Sequence, residues 1–400
     1  MDYIQKGTRD FRKTNLALFA AGFITFANLY STQAVLPEFS KEFHISPTVA
    51  SLSLSLATFA LAISLVIFGS LSEAWGRKRL MTISIVSASV LTLAIAFSPS
   101  FELLLVLRII QGITFAGLPA IAMAYLGEEM ELKSLGVAMG LYISGNSVGG
   151  LAGRIIMGTM TDLFSWKVGM IFLGLLSITI SIYFVVALPN SKHFEPRKLQ
   201  VKALASSLLA HLKDPGMLCL FGIGFTLMAG FVSLYNYISF KLLDPPYSLS
   251  TTIVGWIFII YLVGTFSSTW FGSLADRYGR SRVLIAGIII MFAGSLITLD
   301  IHLALKIVGI TIFTFGFFGA HSIASGWVSQ RAKHDKAQAT SLYLFFYYFG
   351  SSIGGTASGI FWSKFGWSGV VSIIACFLLV AIVLSDCLRR FSVHELKRLY

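Results

Sequence analysis

Three side chains in this sequence are of kinds that apolar helices rarely carry, and each could do chemical work there. Arg108 lies in LLLVLRIIQGITFAG, Arg154 in SGNSVGGLAGRIIMGTMTD and His321 in FGFFGAHSIASGW. A guanidinium at the centre of a membrane helix costs about 2.5–3.5 kcal/mol to insert. Arg108 is therefore expected to face a cavity or a partner, with Gln111 one turn away; the alternative is an arginine that snorkels to the outer surface. Arg154 sits deep in its stretch, yet Asp162 follows about two turns later, so a functional and a structural role are equally open. His321 is the group deep in the second half whose charge can change near neutral pH, which makes it the candidate for proton coupling; a hydrogen-bonded core histidine is the alternative. Glu38, Glu102, Asp162, Asp300 and Asp386 all fall near the ends of apolar stretches, and Glu102 and Asp300 are the next coupling candidates.

A different arrangement occurs twice. GSLSEAWGRKRL (Gly69 to Leu80) and GSLADRYGRSRVL (Gly272 to Leu284) each put a glycine hinge, a carboxylate and a basic cluster into a very short loop. Gly69 maps to Gly272 and Arg77 to Arg280 at an offset of 203, Gly149 to Gly354 at 205 and Trp166 to Trp367 at 201, so the chain is a duplication. Gly69 and Gly272 are expected to let neighbouring helices approach. Glu73 or Asp276 could meet helix amino-terminal amides or a nearby arginine, forming a latch that makes and breaks as the halves close and open on the inside. Gly76 and Gly279 belong to the same motif. A simple anchor on the inner face would explain Arg77 to Arg79 but neither the glycines nor the carboxylate.

The elements that position these residues follow from composition. Of 400 residues 56% are apolar and 12% charged, with a mean hydropathy of +0.80, so lipid must be the solvent for most of the surface. The net charge of +12 is dispersed in short clusters between apolar spans, the pattern of membrane loops and not of a nucleic-acid surface. About 20 apolar residues cross a bilayer as a helix, and that ruler places twelve spans. They run near 16–36, 50–71, 80–98, 102–124, 135–160, 167–188, 216–240, 252–272, 283–300, 304–327, 338–361 and 368–387. With the amino terminus inside, the inner segments hold 23 lysines and arginines and the outer segments 5, which assigns both termini to the cytoplasm. The division expected is a cytoplasmic segment 1–15, a six-helix bundle 16–188, a basic linker 189–214, a second bundle 215–388 and a cytoplasmic tail 389–400. Leu199, Ala203, Leu208, Leu209 and Leu212 give the linker an amphipathic character, so it either lies on the inner leaflet or is solvated. No cleavable leader is evident, and Cys219, Cys376 and Cys387 are too dispersed for a disulfide framework or a metal site.

Small residues form stripes in two spans. Gly145, Gly149 and Gly153, with Gly150 beside them, recur at helical spacing, as do Gly350, Gly354 and Ser358, with Gly355 beside them. Such stripes suit helices that slide at the interface between halves.

Over essentially its whole length the chain resembles the major facilitator superfamily of transporters. The superfamily's loop motif G-x-L-a-D-r-x-G-r-k-x-x-l is matched at Gly272, Leu274, Ala275, Asp276, Arg277, Gly279, Arg280, Arg282 and Leu284. The first copy matches at Gly69, Leu71, Gly76, Arg77, Lys78 and Leu80 but has Glu73 in place of aspartate. Arg108, Gln111 and Gly112 resemble its l-x-x-x-R-x-x-q-G motif, and Gly145, Gly149 and Gly150 resemble the antiporter motif G-P-x-x-G-G, with Asn146 replacing the proline. The resemblance implies an all-α membrane protein, twelve transmembrane helices in two pseudo-symmetric six-helix bundles. It also implies that spans one, four, seven and ten line a cavity, through Asn28, Tyr30 and Gln33, then Arg108 and Gln111, then Tyr235, Asn236 and Tyr237, then His321, Ser325 and Trp327.

No phosphate loop, metal-ligand pair or nucleophile elbow competes, so the chain is not expected to be an enzyme, to need a cofactor or to use ATP. The leading expectation is a monomeric, multi-pass protein of the cell membrane that exports small organic compounds by proton antiport with alternating access. The rival is import of an organic anion or metabolite, favoured by Arg108 and Arg154. A membrane sensor that moves nothing is a third reading, disfavoured because no large soluble domain exists to carry a signal.

Overall fold

A chain in lipid must satisfy its own backbone hydrogen bonds, and this one does so with helices. The computed structural model describes residues 3–194, 196 and 201–399. The helices are α1 (Arg9–Tyr30), α2 (Leu36–Glu42), α3 (Pro47–Trp75), α4 (Arg77–Ala96), α5 (Phe101–Phe115), α6 (Pro119–Glu129), α7 (Leu132–Leu163), α8 (Trp166–Ala187), α9 (Val201–Leu212), α10 (Pro215–Leu243), α11 (Thr251–Ile257), α12 (Tyr261–Tyr278), α13 (Arg280–Ile297), α14 (Leu303–Arg331) and α15 (Lys336–Leu399). Thr8, Ser100, Ser165, Asp214 and Ser250 each start a helix by accepting a backbone N–H two or three residues on, which satisfies donors that have no partner within the helix.

Twelve passes result. α5 and α6 make the fourth, interrupted just before Pro119; α11 and α12, joined by a tight turn at Phe258–Ile260, make the eighth. α15 holds the eleventh and twelfth, parted by the non-helical backbone of Gly366. Three elements differ from the sequence reading. α15 continues to Leu399, so the expected tail begins as helix, and α9 turns half of the expected linker into a helix. In α9 Leu209 is 56% exposed while His211 is buried; Leu199 and the side chain of Ala203 lie outside the described residues. The repeated motif is not a loop. Glu73 and Asp276 are in the last turns of α3 and α12, Arg77 and Arg280 open α4 and α13, and single glycines at positive φ, Gly76 at 96° and Gly279 at 85°, make each corner. A side chain at such a φ is strained, which accounts for glycine at both positions.

The chain divides into two compact units. Unit 1 is Met1–Ile45, Leu56–Leu199 and Leu249–Phe258; unit 2 is Ser46–Ser55, Gln200–Ser248 and Ile259–Tyr400. Two stretches thus cross the division expected at 189–214: the start of α3 belongs with unit 2 and α11 with unit 1. The two exchanged stretches are themselves 203 residues apart, so the duplication extends to this feature. In unit 1 a Cβ on Gly158 would lie 2.7 Å from the Thr251 carbonyl oxygen and 3.1 Å from the Gly255 Cα, which is how closely α7 and α11 pack. In unit 2 a Cβ on Gly355 would lie 3.0 Å from the Ser55 hydroxyl, and one on Gly359 would overlap Thr48.

The end of unit 1 that carries Lys78 and Glu129 is stapled to the first residues of the linker. Lys78 donates to the Leu188 carbonyl (2.5 Å), Tyr125 to that of Pro189 (2.9 Å), and the buried Glu129 carboxylate accepts from the backbone N–H groups of Lys192 and His193 (2.7 and 2.9 Å). Ile4 bridges to Met130, and Tyr3 stacks on His193 at 4.4 Å.

Candidate substrate and coupling site

Arg108 is fully buried in unit 1, and its geometry explains how α5 tolerates it. Its guanidinium donates to the Asn28 and Leu29 carbonyls (3.1 and 2.7 Å) and to Gln111 Oε1 (2.6 Å). The two carbonyls belong to the last turn of α1, at the negative end of the helix dipole, where the Asn28 carbonyl also accepts from the Ser31 hydroxyl (2.8 Å). Gln111 passes the connection on through its Nε2 to the Ala88 carbonyl and Thr92 hydroxyl of α4 (3.1 and 2.8 Å), and Asn28 Nδ2 donates to Ser177 of α8 (2.9 Å). Arg108 therefore cross-links α1 and α5, with α4 and α8 attached; it does not snorkel.

Arg154 is held in a second clamp. Its Nε donates to Gln33 Oε1 (2.7 Å) and Nη1 to the Gly150 carbonyl (2.6 Å), while the guanidinium lies between the rings of Tyr30 (4.1 Å) and Phe258 (4.7 Å). Ring faces carry partial negative charge and stabilise a desolvated cation. One helical turn of α7 beyond Gly158, Asp162 accepts from the Thr252 hydroxyl (2.7 Å), a second tie to α11.

His321 of unit 2 has a different environment. It is half-buried, and Nδ1 lies 2.9 Å from Tyr343 Oη. Its ring is parallel to Phe317 (5.8 Å, 3°) and lies 4.6 Å from Tyr347. Two pairs at four-residue spacing, Phe317 and His321 on α14 and Tyr343 and Tyr347 on α15, build this group. The neighbouring rings of Phe231, Phe318 and Tyr261 extend it, with Phe231 stacked on Phe317 at 3.8 Å.

Most of the other residues expected to line a cavity are buried. Asn28, Gln33 and Gln111 are 1% exposed and serve the arginines, while Tyr235 and Asn236 are 0% exposed. Tyr235 pairs with the Thr314 hydroxyl (2.7 Å), Asn236 packs beside Gly355, and Tyr237 donates to the Gly355 carbonyl (2.8 Å). Buried polar groups that lack hydrogen bonds cost several kcal/mol in an apolar interior, on the order of 2–7, which accounts for the pairing of the Tyr235 and Tyr237 hydroxyls. Ser325, which donates to the Ser322 carbonyl, and Trp327 are half-buried.

The glycine stripes also differ from expectation. A Cβ on Gly145, Gly149 or Gly153 would overlap the backbone carbonyl of Phe19, Phe23 or Ala27, and one on Gly350 or Gly354 the backbone at Phe225 or Ala229. These stripes lock α7 to α1 and α15 to α10 inside a unit, where backbones approach too closely for sliding. Gly150 stands apart from the stripe: a Cβ there would lie 3.5 Å from Arg154 Nη1. At Gly69 and Gly272, where close approach was expected, a Cβ would meet nothing within 4 Å.

At the repeated motif, Arg77 donates to both Glu128 oxygens (2.7 Å from Nη2) and to Ser72, and lies over Phe194. Its counterpart Arg280, and the carboxylates Glu73 and Asp276, make no side-chain hydrogen bond or ion pair among the described residues. Arg331 instead forks onto Asp214 (2.9 and 2.8 Å). Burial alone would raise the Asp214 carboxyl, but Arg331 and the N–H groups of Gly216 and Met217 outweigh it and hold it below the ordinary range.

The family profile of the Major Facilitator Superfamily matches residues 18–247 and 243–398. The chain belongs to this superfamily. It is 56% identical over 390 residues to the uncharacterized MFS-type transporter YybF of Bacillus subtilis (strain 168), covering 98% of this chain and 96% of that one. It is 43% identical over 388 residues to the inner membrane transport protein YnfM of Escherichia coli (strain K12), covering 97% and 93%. Among solved structures, a bacterial homolog to the human lysosomal transporter Spinster, inward-facing and occupied, superposes with a TM-score of 0.78 at 16% identity over 96% of this chain and 98% of that one. The nucleoside transporter NupG gives 0.72 at 15% identity, over 94% and 98%. The last two establish the fold. As a superfamily member the chain is a multi-pass membrane transporter. Three functional side chains escaped the sequence reading. Tyr343 and Tyr347 were signalled only by the aromatic run SLYLFFYYFG, and Glu128 by an acidic pair at the inner end of a span.

Proposed function

We propose that this transporter exports small organic compounds by proton antiport, with alternating access between two units and His321 as the coupling group. The observation that carries the reading is the half-buried His321, set in an aromatic nest in spans of unit 2 that hold no lysine, arginine, aspartate or glutamate between their ends. The titratable groups in contact with its ring are Tyr343 and Tyr347. Protonating Nδ1 would force the Tyr343 hydroxyl to turn, which ties the proton to the packing of α14 on α15.

Export is supported by a distant relative, the multi-drug resistance efflux pump PmrA of Streptococcus pneumoniae, 23% identical over 90% of this chain and 92% of that one. The organic-anion reading loses its support, because Arg108 and Arg154 are committed to carbonyls, glutamines and ring faces. The same proposal has a monomer in the cell membrane, both termini in the cytoplasm, driven by the proton gradient without a cofactor, with Glu73 and Asp276 as inner-face latches. Accumulation of fluorescent dyes in cells with and without the protein, repeated with a protonophore, tests it. Lower accumulation that the protonophore abolishes is expected; equal accumulation in both cells would sink the exporter.

A further inference from the structure

The tautomer of His321 follows from its partner. Tyr343 is 1% exposed, and among the described residues its hydroxyl meets only His321 Nδ1. A buried hydroxyl that fails to donate is left with its desolvation uncompensated. The hydroxyl therefore donates and Nδ1 accepts, which leaves the proton of the neutral ring on Nε2. Nε2 has no hydrogen bond among the described residues and is not among the sealed polar atoms, so it is an open donor. The half-buried ring of Tyr347 stands 4.6 Å from the imidazole, and Phe317, parallel to His321 but 1% exposed and stacked on Phe231, backs it. Among the described residues of unit 2 no formal charge contacts the ring: the buried Lys306 is fifteen residues away on α14, where it donates to the Thr298 carbonyl, and the carboxylates are at helix ends. A charged ligand would leave water for a surface with no counter-charge.

We propose that His321 and Tyr347 form a recognition patch for an uncharged, planar heteroaromatic compound whose carbonyl or ring-nitrogen acceptor takes the Nε2 proton of His321. This rests on the transport reading and specifies its substrate class. Tyr343 is a positioning residue: it fixes the tautomer and touches no ligand. Stacking on ring faces supplies affinity, and the single donor supplies orientation.

The test is equilibrium binding to the purified full chain in lipid nanodiscs, with four bicyclic probes: N-methyl-2-quinolone, naphthalene, N-methylquinolinium and 1-naphthoate. The neutral quinolone should bind about tenfold or more tighter than each of the other three, the worth of one buried hydrogen bond or one desolvated charge. His321→Phe keeps a ring but loses the donor and should bring the quinolone down to the naphthalene level. His321→Gln restores an N–H and should recover binding to within about threefold. In Tyr343→Phe the nitrogen-15 signals of His321 should move from one Nε2–H form to a tautomer mixture. Equal or tighter binding of the cation or the anion, unchanged quinolone binding in a His321→Phe protein with wild-type melting, or an Nδ1–H form in the wild type would each overturn the patch. Discrimination among the probes without any dye efflux would fail the transport reading alone; efflux without that discrimination would fail the patch alone.

Discussion

The two halves keep one backbone plan and distribute their charges differently. In unit 1 Arg77 opens α4 and reaches Glu128; 203 residues on, Arg280 opens α13, but the position equivalent to Glu128 is Arg331, which holds Asp214. The helix, positive-φ glycine and helix are the same in both. The same asymmetry recurs within the membrane. Unit 1 buries two guanidinium groups deep in its spans and satisfies them internally, whereas unit 2 buries the Lys306 ammonium near a helix end and carries a half-buried histidine with an open nitrogen. Duplication thus preserved geometry while one half came to use its charges for cohesion and the other kept a titratable group available.

If Arg108 is cohesive, Arg108→Met should be the most damaging of the changes considered. It strands the Leu29 carbonyl and the Gln111 oxygen, a loss on the order of 3 kcal/mol. Melting in detergent should drop sharply with ligand absent, and an unchanged melting temperature would put Arg108 back among the transport residues. Gly149→Ala, which drives a methyl into the Phe23 carbonyl, should cost about 1–3 kcal/mol, while Gly272→Ala, with open space around it, should leave melting unaltered. Equal effects would erase the distinction between the locking stripe and the motif glycine.

Much of the fold was legible. Apolar runs of bilayer length and a constant offset near 203 are properties of composition and spacing, and they located twelve passes and the duplication. The arginines were found too, but their partners were not, because Asn28, Leu29 and Gly150 act through carbonyls that every residue possesses. The polar residues of spans one and seven look alike in sequence whether they face a cavity or one another. Only packing separates Tyr235, paired with Thr314, from His321, which keeps a nitrogen open.

The charged helix ends offer smaller effects. Arg77→Ala should destabilise unit 1 by about 1–2 kcal/mol, since the pair is partly buried and forked, whereas Arg280→Ala should change melting by less than about 0.5 kcal/mol. A double-mutant cycle of Arg77 with Glu128 should show coupling; an additive cycle would remove the contrast. Least of all, the lowered pKa of Asp214 gives unit 2 a stability increment that is complete above the ordinary carboxylate value of 3.8 and fades as the pH falls below it through the folded value. Asp214→Asn should flatten that acid limb of a melting profile; a limb that persists unchanged points to another carboxylate.

The most direct test of the account is paired measurement of proton and dye flux in proteoliposomes with an imposed pH gradient, for the wild type and His321→Gln. The wild type should accumulate dye against its gradient while protons run down theirs, and His321→Gln should carry dye only downhill, at a rate indifferent to pH. Gradient-driven accumulation that survives in His321→Gln would contradict the assignment of coupling to unit 2.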